Sequence, residues 1–159
     1  MAQQELARIT VSGGRRVIGV GAMMLLGSMM VYLAIAAPPA HIGWTGFLIG
    51  FGVLAIWVSQ VMWRATQRDV ILTEEGLVDS AGEVMATMDQ IERVERGAFT
   101  AKPSNGFVVI LKEKAPRAWY PGIWWRMGRR LAVGGVTAGS QTRPVADILS
   151  FKLTDRDET

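Results

Sequence analysis

Two apolar runs, residues 17–37 and 42–62, constrain this chain more than any other feature. Each is 21 residues long, and neither holds a charged side chain. As an α-helix such a run spans about 31 Å at about 1.5 Å per residue, the thickness of a bilayer's hydrocarbon core. Pro38-Pro39 stops the first helix. A connection this short makes the two helices antiparallel neighbours, a transmembrane hairpin over residues 17–63. Buried helices of a soluble domain are the first alternative, but such helices keep a polar face. Here only Thr45, Ser59 and Gln60 interrupt the second run. A cleaved signal peptide ending near Ala34-Ile35-Ala36 is the other alternative, although the first run exceeds the usual apolar region of about 7–15 residues.

Charge orients the hairpin. Arg8, Arg15 and Arg16 precede the first run, Arg64 and Arg68 follow the second, and the connecting residues 38–44 carry no charge. The positive-inside bias therefore predicts that both termini are cytoplasmic, with Trp44 and Trp63 at interfacial levels. Gly43, Gly46 and Gly50 lie near one face of the second helix and are expected to pack a helix closely. That neighbour is either the first helix of the same chain or a helix of another. Met23, Met24, Met29 and Met30 are lipid-facing or gap-filling bulk.

The organisation that follows is a mobile tail (1–16), the hairpin (17–37 and 42–62), and one small domain (64–159). The absence of cysteine excludes disulfides, thiolate metal sites and thiol nucleophiles. His41, the single histidine, sits in the connection without a second ligand nearby. Glu74, Glu75 and Glu83 flank turns, where acids serve solubility and edge protection. The glycine-rich residues 134–140 lack the lysine of a phosphate loop. No catalytic residue, cofactor or metal is therefore expected, and the chain is not read as an enzyme.

Thirteen arginines and four lysines against 14 acids give a net charge of only +3, which implies no nucleic-acid partner. Distribution says more than the sum. Residues 69–95 hold eight acids and one arginine, whereas residues 117–143 hold five arginines and no acid. Either the domain presents two faces to different partners, or the two blocks complement each other across the fold.

Past residue 63 the pattern changes to short strands and turns. Val70-Ile71-Leu72, Leu77-Val78 and residues 84–88 are separated by Glu74-Glu75-Gly76 and Ser80-Ala81-Gly82-Glu83, which predicts a β-meander. Residues 89–95 fit a helix or a kinked strand equally well. Pro103-Ser104-Asn105-Gly106 predicts a turn ahead of a buried strand over 107–112. Over residues 116–130, a helix starting near Pro121 would set Ile123, Trp124, Met127 and Leu131 on one arc and Arg126, Arg129 and Arg130 on another. A strand at 131–133, a Gly134-Gly135 turn and a helix over 144–153 burying Val145, Ile148 and Leu149 complete the domain.

Short strands closed by one carboxy-terminal helix are the order of a pleckstrin-homology-like (PH-like) barrel or sandwich. The chain resembles the bacterial PH-like membrane proteins of the YcxB-like type, in which a transmembrane hairpin precedes such a domain. The resemblance is carried by Arg68-Asp69-Val70-Ile71-Leu72-Thr73-Glu74-Glu75-Gly76-Leu77, the hairpin around Gly82, and Asp89-Gln90-Ile91-Glu92-Arg93-Val94. Residues 116–130 lie outside it. It implies a membrane α plus soluble α+β architecture and a binding module in the bacterial inner membrane.

The expected function is a non-enzymatic membrane protein whose domain binds a protein partner, as an accessory or assembly subunit of a membrane complex. An anionic-lipid-binding module and a membrane-embedded enzyme or transporter component are the alternatives. Trp119, Trp124, Trp125, Arg126, Arg129 and Arg130 are the candidate contact residues for protein or lipid, since a cationic, Trp-bearing segment close to an anionic leaflet suits both. The competing explanation is that Trp119 and Trp124 plug an end of the barrel while the arginines are solvated.

Overall fold

The structure, a computed structural model of the chain, describes residues 4–96 and 103–157. Two compact units make up the chain: Gly13–Arg64, and Met1–Ser12 together with Ala65–Thr159. Residues 1–3 of the expected tail lie outside the described residues.

The second of these units is a β structure closed by a helix. Strands β1 (Glu5–Ile9), β2 (Val70–Thr73), β3 (Gly76–Asp79) and β4 (Val84–Thr87) form an antiparallel sheet in that order. Strands β5 (Ile91–Glu95), β6 (Phe107–Tyr120) and β7 (Trp124–Val133) form a second antiparallel sheet, entered through a 3-10 turn at Met88–Gln90. One carboxy-terminal helix, α3 (Gly139–Asp157), packs against β1, β5 and β6. It begins a turn or more before the expected residue 144. Val145 and Leu149 are buried as expected, and Ile148 is half-buried against them.

The expected mobile tail is overturned by β1. Ile9 pairs with Val70 and Arg8 with Ile71. The Ile9 side chain is fully enclosed in the main core with Val70, Leu72, Leu77, Met85 and Leu149. At the end of β1 the Thr10 amide donates to Gln141 Oε1 of α3 at 2.8 Å. The domain therefore does not simply follow the helices: its first strand precedes them, and Gly13–Arg64 is inserted between two paired strands.

Residues 116–130 are not a helix. Pro121 and Gly122 occupy the corner of a tight turn closed by the Ile123 amide donating to Tyr120 O at 3.2 Å, with Gly122 at φ 88°. Pro at the first corner position and a positive-φ glycine at the second are the requirements of a type II turn. Tyr120 then pairs with Trp124 and Trp119 with Trp125. The ladder slips between Ile110 and Ala115 and again between Ala115 and Ala118, so Pro116 falls where no ladder hydrogen bond is demanded. The bulged hairpin curls. Its turn reaches the loop after β7, where the Gly134 amide donates to Ile123 O and that of Val136 to Gly122 O.

The unit Gly13–Arg64 contains helices α1 (Gly13–Ala36) and α2 (Ile42–Ala65), α2 running one residue past it. Both are long and apolar enough to cross a membrane. Their seam uses small residues. A Cβ on Gly27 would fall 2.7 Å from Gly52 O, and one on Gly52 would fall 2.8 Å from Gly27 O. Only two glycines allow backbones that close. Val20, Gly27 and Ala34 are the buried positions of α1, seven residues apart, and Ala55 and Ser59 of α2 are buried too. The Ser59 hydroxyl donates to Val20 O at 3.1 Å. The expected packing residues Gly43, Gly46 and Gly50 lie off this seam: a Cβ on any of them would meet nothing within 4 Å among the described residues.

Candidate functional site

Curling of the β6–β7 hairpin separates the candidate contact residues onto two faces. Alternation along a strand sends neighbours to opposite sides. Ile123 and Trp124 point inward and are almost completely buried in the main core, with the Tyr120 ring 4.7 Å from that of Trp124. Trp124 has almost no side-chain surface to offer a partner. Trp119 and Trp125 point outward as a cross-strand pair. Trp125 is half-buried on a small outer cluster of Val108, Ile110 and Ala132, while Trp119 is 52% exposed and Met127 56% exposed.

Two open clefts flank this tryptophan pair. One, of about 390 Å³, is bordered by Arg117, Ala118, Arg126 and Met127 in addition to the tryptophans. The other, of about 480 Å³, is bordered by Pro103, Pro121 and Gly135 on the far side. The outer face of the hairpin is thus a shallow, largely apolar surface with cations at its rim.

The three arginines do not form one free surface. Arg126 turns toward the opposite sheet: its Nη1 donates to Met85 O at 2.6 Å and Val84 O at 3.1 Å, and its Nε donates to Pro116 O at 2.8 Å. It joins β7 to the edge of β4. Arg129 donates Nε to Leu111 O at 2.8 Å and Nη2 to Glu92 at 2.5 Å, spanning β7, β6 and β5. Arg130 is exposed and, among the described residues, makes no bond of this kind. The two charge blocks meet where Arg129 pairs with Glu92.

A polar cluster that periodicity did not reveal supports the inner face. Asp79, whose side chain is fully enclosed, accepts from Arg68 Nη1 at 2.7 Å and from the amides of Ala81 and Glu83 at 2.8 and 3.1 Å. The Arg68 guanidinium lies 4.5 Å from the Tyr120 ring centre, and the Tyr120 hydroxyl donates to Glu83 at 2.5 Å. The Asp79 partnership, opposed by partial burial, holds Arg68 above the usual arginine range. Donation to the Glu83 carboxylate, and then burial, push the Tyr120 phenol up. These groups pair with each other and with backbone, so the cluster reads as structural.

Sequence signals existed for part of what was missed. Pro121-Gly122 between two apolar triplets is a turn dipeptide, and small residues at a seven-residue spacing in α1 mark a helix seam. Nothing local marks Arg126, whose partners lie in β4 and β6. Among the described residues, no three His, Asp or Glu side chains converge as metal ligands would. No family model, no curated protein and no solved structure matches the chain.

Proposed function

We propose that this chain is a non-enzymatic inner-membrane protein. Its two apolar helices span the bilayer, its β unit is a PH-like module on the cytoplasmic side, and that module binds a protein partner as an accessory or assembly subunit. The observation that carries the binding role is the outward Trp119 and Trp125 pair, with Met127 beside it, between two open clefts. Exposed tryptophan ringed by arginine is the composition of interface hot spots, and contiguous exposed apolar surface marks interaction sites.

The order of elements, antiparallel strands closed by a carboxy-terminal helix, supports the PH-like reading. Arginines outside an uncharged connection support cytoplasmic termini. Because Ile9 pairs with Val70, the chain leaves and re-enters the β unit at adjacent positions. An antiparallel helix pair with both ends on one side of a bilayer meets that requirement.

The test is purification of tagged protein in a mild detergent, beside a Trp119→Ala, Met127→Ala variant, with copurifying proteins and lipids identified by mass spectrometry. Stoichiometric recovery of one membrane complex, lost in the variant, is expected. Equal recovery by both forms, or recovery of anionic lipid alone, overturns the assignment. Trp124 is unsuitable for this purpose, since truncating it opens the core.

A further inference from the structure

We propose that the cleft between α1 and α2 at their Arg-bearing ends holds one anionic phospholipid. The inference rests on the reading that the helices span a membrane, but it concerns a site separate from the tryptophan surface. The cleft, of about 500 Å³, lies among Val20, Gly21, Met24, Gln60, Trp63 and Arg64, all within the helical unit.

Gly21 and Met24 are part of its wall, and a Cβ on Gly21 would meet nothing within 4 Å, so the wall is open there to a lipid chain. The cleft also carries polar and cationic groups in its lining. Arg64 borders it, and Arg16 stacks on the ring of Trp63, with its guanidinium carbon 4.4 Å from the ring centre. The buried Nε–H of Arg16 has no acceptor among the described residues. Arg64 has no carboxylate among them, and the unit Gly13–Arg64 contains no Asp or Glu at all.

A furrow lined by hydrocarbon and bordered by the Arg64 guanidinium and Trp63, with a second guanidinium stacked on that tryptophan, matches one chemistry: an acyl chain joined to a phosphate. Guanidinium binds phosphate through paired, charge-assisted hydrogen bonds, and basic pockets between transmembrane helices on the cytoplasmic side select anionic headgroups. Arg16 is held against Trp63, which itself borders the cleft, and its Nε–H is left without a protein acceptor among the described residues. A zwitterionic lipid offers the same phosphate but adds a cation in an acid-free site, and so binds more weakly.

The full-length protein, extracted from membranes and exchanged into detergent, is titrated with phosphatidylglycerol and with phosphatidylcholine and read by native mass spectrometry. Carbonate resistance of the membrane-bound protein is measured first. Release by carbonate refutes the membrane-spanning reading itself, whereas resistance without lipid selectivity refutes only the lipid site.

One retained phosphatidylglycerol is expected, bound about thirtyfold more weakly by Arg16→Gln, Arg64→Gln, from the approximate worth of two basic residues at a membrane surface. Arg16→Lys should keep most of the affinity. Gly21→Leu, whose Cβ has open space around it, places a side chain on the cleft wall and should lose the lipid while remaining carbonate-resistant. Equal affinity for phosphatidylcholine, unchanged affinity in the double variant or in Gly21→Leu, or displacement of the lipid by inorganic phosphate would each overturn the proposal.

Discussion

Substituting Ile9 by alanine tests the least expected part of the architecture, that a strand preceding the helices belongs to the β unit. Ile9 is fully buried in the main core. Truncating a buried isoleucine to alanine costs about 2–5 kcal/mol, through lost transfer free energy and the cavity left behind. The measurement is cleanest with the helices removed. Joining Ser12 to Ala65 leaves residues 10–12 and 65–69 as the connection between the paired Ile9 and Val70, a loop long enough to close without strain. Urea unfolding of this joined protein, followed by the fluorescence of buried Trp124, should be cooperative. With an m-value of about 1.5 kcal/mol/M, a loss of about 3 kcal/mol lowers the midpoint by about 2 M. A fragment starting at Ala65 has no β1 and should fail to unfold cooperatively. If that fragment unfolds at the same midpoint as the joined protein, or if Ile9→Ala leaves the midpoint unchanged, β1 is not part of the fold.

Three further outcomes follow from contacts in the two units. Asp79→Ala strips Arg68 and two backbone amides of their acceptor, and urea unfolding should register a loss of about 3 kcal/mol; a loss below about 1 kcal/mol would remove the cluster's structural role. Gly27→Leu forces apart backbones that now touch at Gly52, so disulfide formation between Val20→Cys and Ser59→Cys, introduced into a chain without native cysteine, should fall several-fold in full-length protein. The Tyr120 phenol is pushed above its ordinary value in the folded state, so the unfolded chain loses this proton first. Its stabilisation is complete below about pH 10 and is lost as pH rises through the higher folded value. Unfolding midpoints measured from pH 8 to 11 should therefore decline less steeply at the alkaline end for Tyr120→Phe than for the unchanged protein.

Hydropathy alone located both long helices to within a few residues at each end. An uncharged run of that length has few other places to go, whatever surrounds it. Turn chemistry was nearly as legible: the corners at Gly76, Gly82, Pro103 to Gly106 and Gly134-Gly135 depend on residues adjacent in the chain. Residues 116–130 were misread because Ile123, Trp124, Met127 and Leu131 fit a helical arc as well as they fit a bulged strand. Two slips in the ladder had hidden the two-residue alternation.

Some of the molecule is invisible to any local reading. Leu6, Arg8 and Ile9 acquire strand structure only because Val70 to Thr73, some sixty residues later, supply the ladder. Which tryptophan is core and which is surface is settled by the curl of one hairpin, which turns Trp124 inward and leaves Trp119 outside. Arg126 and Arg129 look from composition like free cations, but carbonyls of β4 and β6 consume them. Composition settled which long segments are apolar and turn chemistry settled where most corners fall, because those properties act over a few residues. Register, the seam at Gly27 and Gly52, and the partners of buried charges are properties of pairs distant in sequence, and only the assembled fold chose them.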